Sequence, residues 1–166
     1  SLQHPFVKHW KKLREDKKYR QEKKSIIIFG NKMIVEFAMH HPIQRLLVHQ
    51  NHYLSSPAQE LYILSEDLFK KISGMKSPEL VAAEINMPTP INLLSKKYVL
   101  ALDCIRDPGN LGTLIRSAWA LGAEGVLLLP GCVDLFNDKA LRAAKGASLY
   151  MPFQYIQESD LLTYKK

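Results

Sequence analysis

Within one stretch, Asp107-Pro108-Gly109-Asn110-Leu111-Gly112-Thr113-Leu114-Ile115-Arg116-Ser117-Ala118, the sequence sets a carboxylate, an amide and a guanidinium close together. A guanidinium is a permanent cation, suited to holding an anion and poorly suited to taking a proton. Each group also has a structural reading: Asn110 as a helix N-cap and Arg116 as a solvated cation. His4, His9, His40, His41, His49 and His52 form no ligand pattern with cysteines or carboxylates, and His40-His41 before Pro42 reads as a helix end. Asp103, Asp107, Asp134 and Asp138 suggest a carboxylate-metal site, but three of them sit in turns where Asp hydrogen-bonds locally. No metal is expected. Neither a Walker phosphate loop nor a dinucleotide fingerprint is present, which argues against kinase and dehydrogenase chemistry.

The elements around this stretch form a pattern. Residues 98–102 (Tyr-Val-Leu-Ala-Leu) read as a buried strand, and Asp107-Pro108-Gly109-Asn110 as a turn. From Leu111, apolar residues recur at helical spacing through Leu114, Ile115, Ala118 and Leu121; Gly122 stops the helix, and residues 125–129 read as a second buried strand. Strand, turn, helix, strand predicts a parallel pair with its working loops at the strands' C-terminal ends. A loop over 130–136, a helix over 137–145 and a strand over 153–156 follow, and Ser159 or Asp160 is expected to cap a last helix.

Upstream, strands are expected over 25–29, 45–49, 61–64 and 80–85, with helices over 32–40 and 66–72, the latter capped by Ser65. Strands alternating with helices indicate a small α/β sandwich. Met87-Pro88-Thr89-Pro90 reads as a stiff connection. The expected organisation is therefore a first domain over 1–87, a linker over 88–97 and a second domain over 98–166.

Charge is concentrated at the front. Residues 1–24 hold nine Lys and Arg against Glu15, Asp16 and Glu22, which is +6 of the chain's net +7. Phe6, Val7, Trp10 and Leu13 supply a narrow apolar stripe, so a helix there docks and leaves its basic side outward. A basic face of this kind is the footprint of a phosphate-binding surface, and Trp10 is expected in the core. No apolar run reaches transmembrane length, so no membrane partner is expected. Two cysteines are too few for a disulfide framework. Cys104 is expected to be a small buried thiol, and the compartment reducing and cytoplasmic in type.

The motif string carries a resemblance. Leu102-Asp103, Asp107-Pro-Gly-Asn-Leu-Gly-Thr113, Ile115-Arg-Ser-Ala118, Leu121-Gly122 and Gly125-Val126 together resemble the first motif of the SpoU (TrmH-like) ribose methyltransferases of the knotted SPOUT class. The likeness continues through Gly131-Cys-Val-Asp134, Asn137-Asp-Lys139, Arg142-Ala143, Gly146-Ala147 and Pro152-Phe153. At the front, Ser1-Leu-Gln-His-Pro5, Val7-Lys8, Leu13-Arg14, Lys17-Lys18-Tyr-Arg20 and residues 64–78 resemble the substrate-binding domain that many SpoU enzymes carry. Phe29-Gly30 and Ala144-Lys145 depart from the family pattern.

The resemblance implies a ribosomal-protein-like α/β sandwich followed by the N-terminal part of a SPOUT parallel-sheet domain. It implies methyl transfer from S-adenosylmethionine to a ribose 2′-hydroxyl of rRNA or tRNA. That hydroxyl must lose a proton as it attacks, so the site needs fixed geometry, a proton acceptor and stabilisation of the oxyanion. By this resemblance Arg116 and Asn110 are the catalytic candidates: Arg116 binds phosphate and stabilises the alkoxide, Asn110 holds the turn and orients Arg116, and the base is unassigned. Lys8, Lys11, Lys12, Arg14, Lys17, Lys18, Arg20, Arg142 and Lys145 are the RNA-binding candidates. In the family the knot and most of the cofactor pocket lie beyond the position of Lys166, so no residue here is assigned to the cofactor. The 166 residues alone are expected to be inactive, and the whole protein a homodimer. Exposed apolar surface is expected near residues 127–129 and Trp119. The alternative is a non-catalytic RNA-binding protein with a vestigial SPOUT half. A pure protein-interaction module fits the front charge less well.

Overall fold

The computed structural model describes residues 4–51 and 57–164. Ser1, Leu2 and Gln3 of the front motif, His52, Lys165 and Lys166 lie outside the described residues. The chain divides into two compact units, Ser1–Met87 and Pro88–Lys166.

The first unit begins with two helices, α1 (Pro5–Glu15) and α2 (Lys17–Lys23), where one basic helix was expected. The break is Asp16, whose extended backbone ends α1 while its Oδ1 accepts from the Tyr19 N–H at 3.1 Å and starts α2. Strand β1 (Ser25–Phe29), helix α3 (Asn31–Ala38), strands β2 (Ile43–His49) and β3 (Ala58–Leu64), helix α4 (Glu66–Ser73) and strand β4 (Val81–Asn86) follow. Ser65 precedes α4, but its hydroxyl makes no cap hydrogen bond. Gly74 closes α4 at φ +68°, and the Arg14 guanidinium lies where a Cβ at that position would stand.

The strands make one sheet in the order β1-β4-β2-β3, with β2–β3 parallel and the other two pairs antiparallel. On one face, Val7, Trp10 and Leu13 of α1 and Phe69 and Ile72 of α4 close over Ile27, Leu47, Leu64 and Ala82. Side chains alternate across a strand, so Ile26, Ile28, Leu46, Ala83 and Ile85 turn to the other face. All five are buried there, and α3 packs on β1 and β4 with Ile34 and Phe37 buried.

The second unit is a parallel sheet, β5 (Val99–Leu102), β6 (Gly125–Leu128) and β7 (Phe153–Tyr155), in that order. Helix α5 (Pro108–Ala120) joins β5 to β6; α6 (Asp138–Ala144) and α7 (Ala147–Tyr150) join β6 to β7. Four expectations change here. Strand β5 is an edge strand and only Leu102 on it is fully buried, because among the described residues no further strand pairs with its free side. Leu127, Leu128 and Leu129 are buried: Leu93 and Ile156, with Val99, Leu161 and Tyr164, pack on Leu127 and Leu129. Residues 91–93, expected in a linker, run beside β7, with the Ile91 N–H donating to Phe153 O at 2.9 Å and the Leu93 N–H to Gln154 Oε1 at 2.8 Å. The last helix is a 3-10 helix (Glu158–Tyr164), and Asp160 lies inside it while accepting from the Gln157 N–H at 3.0 Å. Trp119 is half exposed, as expected, and Leu121 more so.

On α5 the buried face is Leu111, Gly112, Ile115 and Ala118, not the stripe through Leu121. The reason is Gly112. A Cβ there would stand 2.2 Å from Ala140 O and 2.7 Å from Ala143 Cβ, so α6 rests directly on the backbone of α5. Gly112→Ala should therefore destabilise the chain by about 1–3 kcal/mol through overpacking, despite the roughly 1 kcal/mol that alanine gains in a helix. Thermal unfolding checks this; a raised midpoint would mean that the two helices separate freely.

Candidate functional site

The loop after β5 sits at the C-terminal end of a parallel strand, where open α/β sheets bind ligands. Asp107 is the N-cap of α5: its Oδ1 accepts from the Asn110 N–H at 2.7 Å, and Pro108 occupies the first turn. Asn110 is thus the third helical residue and not the cap, which frees its side-chain amide. That amide lines a cavity of about 440 Å³ with Cys104, Ile105, Arg106, Asp107, Thr113 and Leu114. Arg116 is exposed and lies off the buried face of α5. Six residues at 100° each put it about 120° around the helix from Asn110, so Asn110 does not orient it. Among the described residues no hydrogen bond joins the two. Arg116 instead stands one turn beyond Gly112, on the flank that meets α6.

The loop is held from both sides. The Leu129 N–H donates to Leu102 O at 2.9 Å and the Val133 N–H to Ile105 O at 2.8 Å. Cys132 Sγ donates to Leu102 O at 3.2 Å, and Cys104 Sγ to Pro130 O at 3.6 Å. Cys104 is exposed, contrary to expectation, because its left-handed backbone (φ +50°) turns the thiol out beside Gly131. The hydrogen bond to Asp103, and that carboxylate's charge, lift its pKa, so it is a thiol and not a nucleophilic thiolate at neutral pH. Tyr155 at the end of β7 is half-exposed, and its pKa is pushed up to about 12 by partial loss of solvent around the ring first and by the charge of Asp134 second. It is a phenol, not a base, at neutral pH.

The RNA-binding candidates divide. Lys8, Lys12, Lys17 and Lys18 are exposed and Lys11 is half-buried, 3.8 Å from Glu15. Lys12 stands over the Tyr19 ring. Arg14 is mostly covered and paired with Glu15. Arg20 is the clear correction: it is 3% exposed, and its Nη1 donates to Leu13 O at 2.7 Å and Arg14 O at 2.9 Å. It closes the last turn of α1 and does not face solvent. Arg142 Nη1 lies 2.9 Å from Asp138 Oδ2 one turn back on α6, and Lys145 is exposed at the left-handed end of that helix.

Sequence reasoning missed two features. Arg106 lines the Asn110 cavity. In the first unit, buried Glu84 accepts from His9 Nε2, Arg45 Nη1 and Trp10 Nε1, each at 3.0 Å. Burial raises the Glu84 pKa, but the bonds from His9, Arg45 and Trp10 outweigh it and hold the carboxyl below its usual range. The available signal was a lone carboxylate inside the apolar run Leu80-Val-Ala-Ala-Glu-Ile85. Among the described residues no group of three or more His, Cys, Asp or Glu is arranged to hold a metal, and no helix is long and apolar enough to cross a membrane.

Residues 97–165 match the SpoU rRNA Methylase family, and residues 4–83 match the MRM3-like substrate binding domain. The second unit is thus a SpoU methylase domain. It is 36% identical over 157 residues to the 23S rRNA (guanosine(2553)-2'-O)-methyltransferase of Bacillus subtilis, covering 92% of this chain and 62% of that one. It is 47% identical over 70 residues to the mitochondrial rRNA methyltransferase 3 of Homo sapiens, 41% of this chain and 17% of that one. An rRNA methyltransferase from Sinorhizobium meliloti, solved with AdoMet bound, superposes with a TM-score of 0.80 at 28% identity, covering 99% of this chain and 66% of that one. The chain therefore spans less than two thirds of the length of the Bacillus and Sinorhizobium proteins. Its mixed α/β fold with a parallel sheet is that of the SpoU structures.

Because Glu84 is held below its unfolded pKa, it contributes stability above that unfolded value, and the contribution is lost as pH falls through the folded pKa. Unfolding midpoints followed from about pH 6 down to about pH 3 should fall, and Glu84→Gln should flatten the fall while lowering the plateau. A variant with the wild-type pH profile would put the acid sensitivity elsewhere.

Proposed function

We propose that this chain is the RNA-binding domain, with part of the catalytic domain, of an S-adenosylmethionine-dependent RNA 2′-O-ribose methyltransferase. The carrying observation is the SpoU motif at the C-terminal end of β5, with Asn110 and Arg106 on one cavity and Arg116 exposed nearby on α5. In this reading the exposed lysines of α1 and α2 hold RNA phosphates, joined by Lys145 and by Arg142 where it frees itself from Asp138. Arg106 and Arg116 take the phosphates flanking the target ribose, and Arg116 stabilises the alkoxide as the 2′-hydroxyl loses its proton. The Asn110 amide hydrogen-bonds the nucleotide within its cavity.

S-adenosylmethionine supplies an electrophilic methyl group. The cavity beside Asn110 carries one charge of each sign, Arg106 and Asp107, so its lining does not single out a sulfonium cation. No described residue is therefore given to the cofactor, and the chain by itself is proposed to be inactive. Half-exposed Trp119 and exposed Leu121 suit cover by a second copy in the whole protein. Both cysteines are free, which suits a reducing, cytoplasmic-type compartment.

Two experiments test this reading. Replacing Lys11, Lys12, Lys17 and Lys18 together by alanine should weaken RNA binding and flatten the plot of log affinity against log salt, by roughly 0.7 for each single-strand phosphate left without its lysine. An unchanged slope would move the RNA surface off α1 and α2. Arg116→Ala should change stability by no more than about 0.5 kcal/mol, since the side chain is exposed. In the whole protein it should raise the methyl-transfer barrier by about 2.7 kcal/mol or more. Normal methylation by that variant would remove Arg116 from the reaction.

A further inference from the structure

A polar cavity of about 260 Å³ opens at one end of the first unit's sheet, lined by His9, Lys23, Arg45, Gln59, Glu60 and Glu84 among others. It is too small for a nucleic-acid helix and large enough for one base. At its floor, Glu84 is held by His9, Trp10 and Arg45. A buried carboxylate of this kind is costly, and it fixes one guanidinium firmly. Arg45 is clamped between Glu84 at 3.0 Å and Glu60 Oε1 at 3.2 Å, with its guanidinium carbon 5.5 Å from the centre of the Phe6 ring.

Glu60 is the open end of this chain of bonds. It is well exposed, and Tyr62 donates to its Oε2 at 2.5 Å. A carboxylate offers about four acceptor positions, two on each oxygen. Tyr62 takes one on Oε2 and Arg45 one on Oε1, leaving one on each oxygen for a pair of adjacent donors. Among the four RNA bases only guanine presents two adjacent donors, N1–H and N2–H, on its Watson–Crick edge; adenine and cytosine put an acceptor beside their donor, and uracil offers one donor. Unpaired RNA bases are read on that edge. Lys23 on α2 lies at the cavity wall and joins it to the basic helices.

We propose that this cavity reads an unpaired guanine, with Glu60 accepting from N1–H and N2–H, Arg45 holding Glu60 in place, and Lys23 contacting the adjacent phosphate. The subsite rests on the RNA-binding reading above. It names one base on the strand that the α1 and α2 lysines hold.

The test uses the full chain and end-labelled single-stranded heptamers of uridine whose central residue is uridine, guanosine or inosine. The guanosine heptamer should bind about tenfold tighter than the all-uridine one, and inosine, which lacks the 2-amino donor, should fall between them. Glu60→Gln should bring the guanosine heptamer to the all-uridine affinity, with its unfolding midpoint checked alongside. Equal binding of all three heptamers by the wild-type chain overturns the guanine subsite and leaves the RNA-binding reading standing. Absence of binding to any heptamer overturns both.

Discussion

The hydrogen bond from the Asn110 N–H to Asp107 Oδ1, at 2.7 Å, decides where α5 begins. Without it the helix would start with an uncapped turn, at a typical cost of about 1 kcal/mol, and its entry angle would be free. With it, Asn110 becomes a helical residue whose amide is available, and Gly112 falls where α6 can settle on bare backbone. The short motif therefore sets two things at once: a cavity at the strand end and the packing that keeps it in place.

In the first unit the corresponding constraint is Glu84. Its three partners come from α1 and β2, so one carboxylate ties helix to sheet and sets the direction of Arg45. The basic helices are shaped by a similar economy. Arg20 folds back on the carbonyls that end α1, and the break at Asp16 that permits this leaves the lysines of α1 and α2 outside. Charge in the sequence is therefore a mixture of structural and solvent-facing groups, and only the latter can meet RNA.

Much of this was legible in the residues. The strand periodicities of Ser25–Phe29 and Gly125–Leu128 follow from local chemistry, and the structure has them there; the turn expected over 107–110 is instead the N-cap and first turn of α5, because Asp107 caps the helix and Pro108 suits its first position. Burial was harder to read. Val99 to Ala101 look like core, but their place at a sheet edge leaves them partly open, whereas Leu127 and Leu129 find cover in Leu93 and Ile156, distant in sequence. The candidate site was half visible: Asn110 and Arg116 stand out by type and spacing, yet their separation around α5 depends on which residue caps the helix. Glu60, Glu84 and Arg45 lie on three strands, and no spacing in the chain announces that they meet.

In the proposed reading RNA runs over the exposed faces of α1 and α2 and, on the second unit, over the loop before α5 and the first turn of α5 that carries Asn110. Ultraviolet cross-linking of bound RNA, followed by mass spectrometry of the linked peptides, tests it most directly. Cross-links should concentrate in peptides from residues 8–24 and 103–116. Cross-links confined to α3, or to the 3-10 helix of the second unit, would contradict the claim.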